Sequence, residues 1–303
     1  MGSERRKGDR LLSVPLVIDT DLGSDPDDEL ALALVWGSSE FDLRQLIVSY
    51  GDVRLRASIA QRMAALTGRS LRVAVGKDLP LSGAPVWWAG HEGSAYGDLV
   101  PPTDLVPVDL GLAGGGVLLA IAPLSTIATE FAASPALPAA LARLVVMGGD
   151  FRAHAAPEHN IVSDVEAARA VFDADATTLV VGLDITRQVR LYADALRLVA
   201  GAGPLGAVLG REINDWLARW DEDYEVPHDP VAALAYLEPD LFEFSRPGRV
   251  VVSSDGSTRF APGEGRTKIV TAVNAEAAAR SVTRRILLGL QCQTRDSQAT
   301  DAW

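Results

Sequence analysis

Cysteine is almost absent from this chain: Cys292 is the only one in 303 residues. No intramolecular disulfide can form, and a thiol mechanism has no activating partner motif. A reducing, cytoplasmic setting is the expectation. Lysine is nearly as scarce, with only Lys7, Lys77 and Lys268, and the formal net charge is -12. That balance argues against the basic surfaces that bind nucleic acid or anionic membranes. No apolar run reaches the length that spans a bilayer. Met1 to Arg10 is charged and lacks an apolar stretch, so no signal peptide is read there. The expected partner is therefore a small molecule, with neither nucleic acid nor membrane involved.

What is present points to a globular α/β chain. An apolar fraction of 48 % against 22 % charged residues suffices for a sizeable core. Short β-like runs alternate with helical patterns, which predicts a mostly parallel, wound, Rossmann-like central sheet flanked by helices. Strands are expected at Leu16–Asp19, Leu43–Val48, Leu71–Val75, Val117–Ala122, Leu144–Met147 and Thr178–Gly182, with late strands at Val250–Ser253 and Lys268–Val273. Helices are expected at Asp27–Trp36, Leu55–Leu66, Ser125–Ala133, Val165–Phe172, Leu205–Trp220 and Pro230–Tyr236, with a closing helix at Ala275–Leu288. No repeat or linker divides the chain. One domain is expected over 11–290, with tails at 1–10 and 291–303. The long segment Gly76–Pro102, with Trp87, Trp88, His91 and Tyr96, reads as a lid or binding loop.

The acids are unevenly spread. Asp19-Thr20-Asp21-Leu22-Gly23-Ser24-Asp25-Pro26-Asp27-Asp28 holds five carboxylates in ten residues, between the apolar run Leu16–Ile18 and the helical pattern Leu30, Ala31, Leu34, Val35. Strand end and helix start are where wound α/β sheets place ligands. Like charges repel and unpaired buried carboxylates are costly, a cost that an oxygen-coordinated divalent cation offsets. Complementing the helix macrodipole accounts for Asp27 and Asp28 but not for Asp19 and Asp21 on the strand side. An EF-hand does not fit, because glycine falls at the fifth position and no Glu stands at the twelfth. Asp25, ahead of a proline, reads as a turn, cap or solvated residue before it reads as a ligand.

Further motifs accompany the acidic run. Ala122-Pro123-Leu124-Ser125-Thr126, Val145-Val146-Met147-Gly148-Gly149, Glu158-His159-Asn160 with Asp164 and Glu166-Ala167-Ala168, Gly182-Leu183-Asp184-Ile185-Thr186 and His228-Asp229-Pro230 follow in order. Together the set resembles the inosine–uridine nucleoside hydrolase family. The resemblance implies a calcium-dependent enzyme that cleaves the N-glycosidic bond of ribonucleosides to free base and ribose. By the same resemblance, Asp21 both touches calcium and acts as general base on a calcium-bound water. Asp28, Asp229 and the backbone carbonyl of Ser125 complete the metal site. Asp27, Asn160 and Glu158 face the ribose, with Met147 at the neighbouring strand end. His228 donates a proton or a hydrogen bond to the departing base, and His91 lies near that base. A homodimer or homotetramer is also implied.

The sequence departs from the family pattern in four places. Asp25-Pro26 lengthens the acidic motif by two residues, Asp52 stands where Asn is usual, His159 replaces a common Phe, and Asp150–Pro157 is short. Asp52 is read as a substrate-side acid near the metal. Trp87, Trp88, Trp216, Trp220 and Tyr224 are candidates to stack on a base. The spacing of Trp216 and Trp220, four apart on one helix, favours core packing for that pair. Two other readings compete: a nucleoside- or sugar-binding protein that keeps the metal site without turnover, and a magnesium-dependent phosphatase using Asp19 and Asp21, which lacks a downstream lysine motif.

Overall fold

The apolar runs pair in parallel because helices cover both of their faces. In the computed structural model, which describes residues 13–292, the strands are β1 (Val14–Thr20), β2 (Phe41–Val48), β3 (Val73–Val75), β4 (Val117–Ala120), β5 (Arg143–Met147), β6 (Thr178–Val181), β7 (Leu191–Tyr192), β8 (Tyr224–Glu225), β9 (Phe242–Phe244), β10 (Gly248–Val252), β11 (Thr258–Pro262) and β12 (Thr267–Val273). The helices are α1 (Asp27–Trp36), α2 (Val53–Thr67), α3 (Ser125–Ala133), α4 (Leu137–Ala140), α5 (His159–Ser163), α6 (Val165–Asp173), α7 (Leu183–Thr186), α8 (Ala193–Ala200), α9 (Gly203–Trp220), α10 (His228–Leu237) and α11 (Ala275–Gly289). The expected tail 1–10 and most of 291–303 lie outside the described residues.

The main sheet runs β11-β10-β12-β6-β5-β4-β1-β2-β3, with β9 also on β12. From β3 to β12 every neighbour is parallel; β9 and β10 join β12 antiparallel, and β11 closes a hairpin with β10. The order 3-2-1-4-5-6 within it is that of a doubly wound fold, as expected. Winding reverses between β1 and β4, and their carboxyl ends open a crevice. Along β1 the side chains alternate between faces. Leu16 and Ile18 enter the core layer that includes α1, α2, α10 and α11, while Val17 enters the layer with α3 and α6.

Helix α1 is buried from Asp27 to Val35 because it is wedged between α10 and α11. Gly289 permits the crossing: a Cβ there would stand 1.8 Å from the Ala33 carbonyl oxygen. The acidic first turn of α1 is thereby held inside protein instead of water. Among the described residues no helix is long and apolar enough to cross a membrane.

Expected elements recur with shifted ends. Leu71–Val75 shortens to β3, Val117–Ala122 ends at Ala120 before the Pro123 turn, and the helix expected from Leu205 starts at Gly203. Strands β7, β8, β9 and β11 and helices α4, α5, α7 and α8 were not read from the sequence. Most are two to five residues long, too short to establish a period.

Candidate active site

The crevice at the switch point is a cleft of about 790 Å³, and it gathers acids from elements far apart in sequence. Asp21, Asp25, Asp27 and Asp28 come from the β1–α1 loop and the start of α1, and Asp229 comes from the first turn of α10. The loop turns at Gly23, whose φ of 109° suits glycine and where a Cβ would stand 2.8 Å from Ile59 Cδ1. Arg56 of α2 holds the loop from behind. Its side chain is 0 % exposed, Nε donates to the Tyr50 carbonyl at 2.6 Å, and Nη1 donates to the carbonyls of Asp21 and Leu22. Nη2 stands 3.9 Å from Asp21 Oδ2, so this cation mainly fixes backbone and only partly offsets the Asp21 charge.

Carboxylate oxygens of Asp27, Asp28 and Asp229 lie within 4.8 Å of one another. Thr20 Oγ1 donates to Asp28, and the Asp229 N–H donates to Asp27 Oδ2 at 3.3 Å. Burial raises all four cluster acids above the usual carboxylate range. For Asp27, Asp28 and Asp229 the neighbouring carboxylates add to the rise, whereas for Asp21 the charge of Arg56 opposes it. An all-oxygen, under-neutralised, buried cluster fits a hard divalent cation. Asp27, Asp28 and Asp229 are the triad able to hold one, with Asp21 adjacent.

The opposite wall comes from β4, β5 and α5. Asn160 Nδ2 lies 3.3 Å from the carbonyls of both Ile121 and Met147, and all three residues line the cleft. Glu158 lines it too, but its carboxylate accepts the N–H groups of Asn160, Ile161 and Gly149 at 2.7, 3.1 and 3.0 Å. It caps α5 and thereby orients Asn160. His228 Nδ1 is 2.6 Å from Thr186 Oγ1. Burial, assisted by Arg187, pushes the imidazole down to about 3, so the ring is neutral near pH 7.

Three expected site residues stand elsewhere. Ser125 is not among the cleft-lining residues: at the start of α3 its hydroxyl donates to Asp164 at 2.6 Å and its carbonyl accepts from Thr129 Oγ1 at 2.9 Å. Ile121, at the end of β4, supplies the cleft-lining residue of that turn. Asp52 is exposed and caps α2, accepting Arg54 and Leu55 N–H at 3.1 and 3.0 Å. A favourable N-cap position claims it before any substrate can. His91 packs behind cleft-lining Trp216, ring centroids 6.0 Å apart, and neither ring nitrogen has a partner.

Asp25 is neither solvated nor free. It is half-buried, lines the cleft and accepts the Asp27 N–H at 3.3 Å. Asp19 is fully buried off the cleft, bonded by Ser49 Oγ at 2.5 Å, and burial pushes it up to about 8. A phosphatase would need it presented to substrate.

Of the aromatic candidates, Trp87, Trp216, Trp220 and Tyr224 line the cleft, whereas Trp88 packs on the Arg56 guanidinium at 4.9 Å. Core packing was expected for Trp216 and Trp220; Trp216 packs against the core while lining the cleft, whereas Trp220 is exposed, and the two rings meet edge to face at 5.6 Å. The sequence reading missed Arg56, Tyr50, Glu92 and Glu225. Arg56 had a signal, since it falls on the apolar face of α2 with Val53, Ala60 and Met63. Tyr50 holds a positive φ of 64° and accepts the Trp87 N–H at 2.9 Å. Glu92 ties the lid segment to Ser24 at 3.1 Å. Neither contact has a local pattern.

A family model described as inosine-uridine preferring nucleoside hydrolase matches residues 16–280. Uridine nucleosidase 1 of Arabidopsis thaliana is 29 % identical over 267 residues, 80 % of this chain and 79 % of that protein. The pyrimidine-specific ribonucleoside hydrolase RihA of Klebsiella pneumoniae is 27 % identical over 256 residues, 76 % of this chain and 82 % of its own. A solved plant nucleoside hydrolase, PpNRh1, superposes with a TM-score of 0.77 at 25 % identity, covering 90 % of this chain and 99 % of that one.

Proposed function

The chain belongs to the inosine–uridine preferring nucleoside hydrolase family, and from that premise we propose that it hydrolyses the N-glycosidic bond of ribonucleosides to free base and ribose with calcium in the acidic cluster. The observation that carries this reading is the convergence of Asp21, Asp27, Asp28 and Asp229 with Asn160 in one cleft. The oxygen-only donor set supports calcium over softer metals. When bound, the ion would polarise oxygens of water and of the ribose diol.

The residues of the chain divide the remaining work. Asp27 and Asn160 orient the ribose hydroxyls. Asp21, a carboxylate with its loop clamped by Arg56, takes a proton from the attacking water as the C1′–N bond lengthens. The surrounding carboxylates favour the positive charge that develops on the sugar. His228 is neutral, so its contribution to the base is a hydrogen bond. In the tautomer whose Nδ1 accepts from the Thr186 hydroxyl, 2.6 Å away, the ring proton sits on Nε2 and is available to the leaving group. Met147 and Ile121 form the floor beneath the sugar. The proposal includes a cytoplasmic homodimer or homotetramer; the single cysteine, exposed and free, supports a reducing setting.

Purified protein mixed with inosine, uridine, cytidine, adenosine and guanosine should release reducing sugar. Asp21→Asn should keep its melting temperature yet lose about 10²- to 10⁴-fold in turnover. Unchanged turnover would remove Asp21 as the base. Nucleoside binding with no sugar release from the unaltered protein would favour the binding-protein reading instead.

A further inference from the structure

The four acids assigned to metal, water and ribose do not account for all the negative charge in the cleft. Asp25, on the two-residue extension of the acidic motif, and Glu225, on β8, line it as well. Glu225 is 1 % exposed and its Oε2 has no hydrogen-bond partner. Burial raises both carboxyls above the usual carboxylate range, with Glu225 adding to the rise at Asp25, and Asp27 and Glu222 adding to that at Glu225. The rings of Trp87, Trp216, Trp220 and Tyr224 line the same cleft. The two arginines on the lining already have partners. Arg190 lies 4.3 Å over the Tyr224 ring, and Arg187 stands 4.0 Å from Asp150 Oδ2.

A buried carboxylate without a donor favours a positive partner, and aromatic faces attract cations through their quadrupole. One divalent ion held by Asp27, Asp28 and Asp229 leaves Asp25 and Glu225 outside its ligand set. We propose that the cleft is built for ribonucleosides whose base carries a fixed positive charge, such as an N-alkylated purine or an N-ribosylpyridinium, held by Asp25, Glu225 and the aromatic walls. This rests on the nucleoside hydrolase reading. The step balances without an acid. Water oxygen bonds to C1′, the C1′–N bond breaks, and its electron pair neutralises the cationic ring. The water proton passes to Asp21, and the base departs neutral. His228, held to Thr186, then needs only to orient the base.

The test uses one matched pair, guanosine and 7-methylguanosine, which differ by a methyl group and a charge. In the unaltered protein the ratio of their kcat/KM values, charged over neutral, should exceed the ratio of their uncatalysed hydrolysis rates by about tenfold or more. Glu225→Gln and Asp25→Asn should each lower that ratio about tenfold. Because the ratio is read within one protein preparation, a loss of folded fraction cancels. A ratio equal to the solution value, or unmoved by both substitutions, would overturn the proposal while nucleoside hydrolysis stands. If neither compound, nor any ordinary nucleoside, is hydrolysed, the hydrolase reading itself fails. Calorimetric affinities for the same pair then decide the cation preference: tighter binding of 7-methylguanosine supports it, and equal binding overturns it.

Discussion

Two strand-to-helix turns face each other across the cleft, and both are rich in carboxylates. At the turn from β5 into α5 and α6 the donors are plentiful. Glu158 accepts three backbone N–H groups, and Asp164 accepts the N–H of Ala167 and Leu81 and the Ser125 hydroxyl. At the turn from β1 into α1 they are scarce. Asp25 and Asp27 each take one N–H, Asp28 takes one hydroxyl, and Asp21 has a guanidinium 3.9 Å away. The same residue type is thus structural on one side and chemically open on the other. The supply of donors decides which, because a carboxylate that already accepts three hydrogen bonds keeps only about one of its roughly four lone-pair sites for a metal or substrate.

The largest test of that contrast is removal of metal. A calcium-selective chelator should reduce turnover by two orders of magnitude or more and lower the melting temperature, and added calcium should restore both. Asp28→Asn should reproduce the loss of activity without rescue by calcium. A chelated protein with full activity and unchanged melting temperature would mean that the open turn needs no cation.

Next in size is Asn160→Ala, which removes the cleft-lining amide that the donor-rich turn presents and that we propose orients the ribose. A fall in kcat/KM of about 10- to 100-fold, with the metal-dependent rise in melting temperature retained, is the expected outcome. Loss of the metal response would show that the two turns are not separable in role.

A third carboxylate site sharpens the rule, because it is short of donors yet outside the cleft. Glu212 of α9 is buried beside Tyr96, and burial pushes it up to about 8, with Asp215 adding to the rise. Its folded pKa exceeds the unfolded value, so between about pH 4.5 and 8 the folded state holds the extra proton. Stability should therefore fall as pH rises through that window. Glu212→Gln should flatten the dependence and raise stability at pH 8.5 by up to a few kcal/mol, with little change at pH 4. Chemical denaturation at the two pH values measures it; an equal effect at both would contradict the assignment.

The smallest effect is expected at Asp52, the substrate-side acid that the structure turns into a helix cap. Asp52→Ala should cost about 1 kcal/mol of stability and leave kcat/KM within about twofold. A larger loss of activity would return Asp52 to the site.

Much of this was legible along the chain. The parallel strands announced themselves as apolar runs, and the acidic motif, Asn160 and His228-Asp229 could be placed at a common site because their types and order carry the chemistry. The start of α3 at Ser125 was read correctly, but a one-dimensional motif does not say which partners its hydroxyl and carbonyl find. Asp52 was misread because a cap and a ligand present the same letter. Arg56, Tyr50, Glu92 and Glu225 act on residues 34 or more positions away in the chain. Such contacts leave no local period.

The sequence by itself determined the wound sheet, the acidic strand end and the chemistry open to it, since those follow from hydrophobic pattern and charge over a few residues. Tertiary structure alone decided which acids stay open. It brought Asp229 to Asp27 across 202 positions, gave Glu158 and Asp164 three donors each, and brought Asp25 and Glu225 into one cleft. Donor supply and burial are properties of packing, and packing is set by residues distant in the chain.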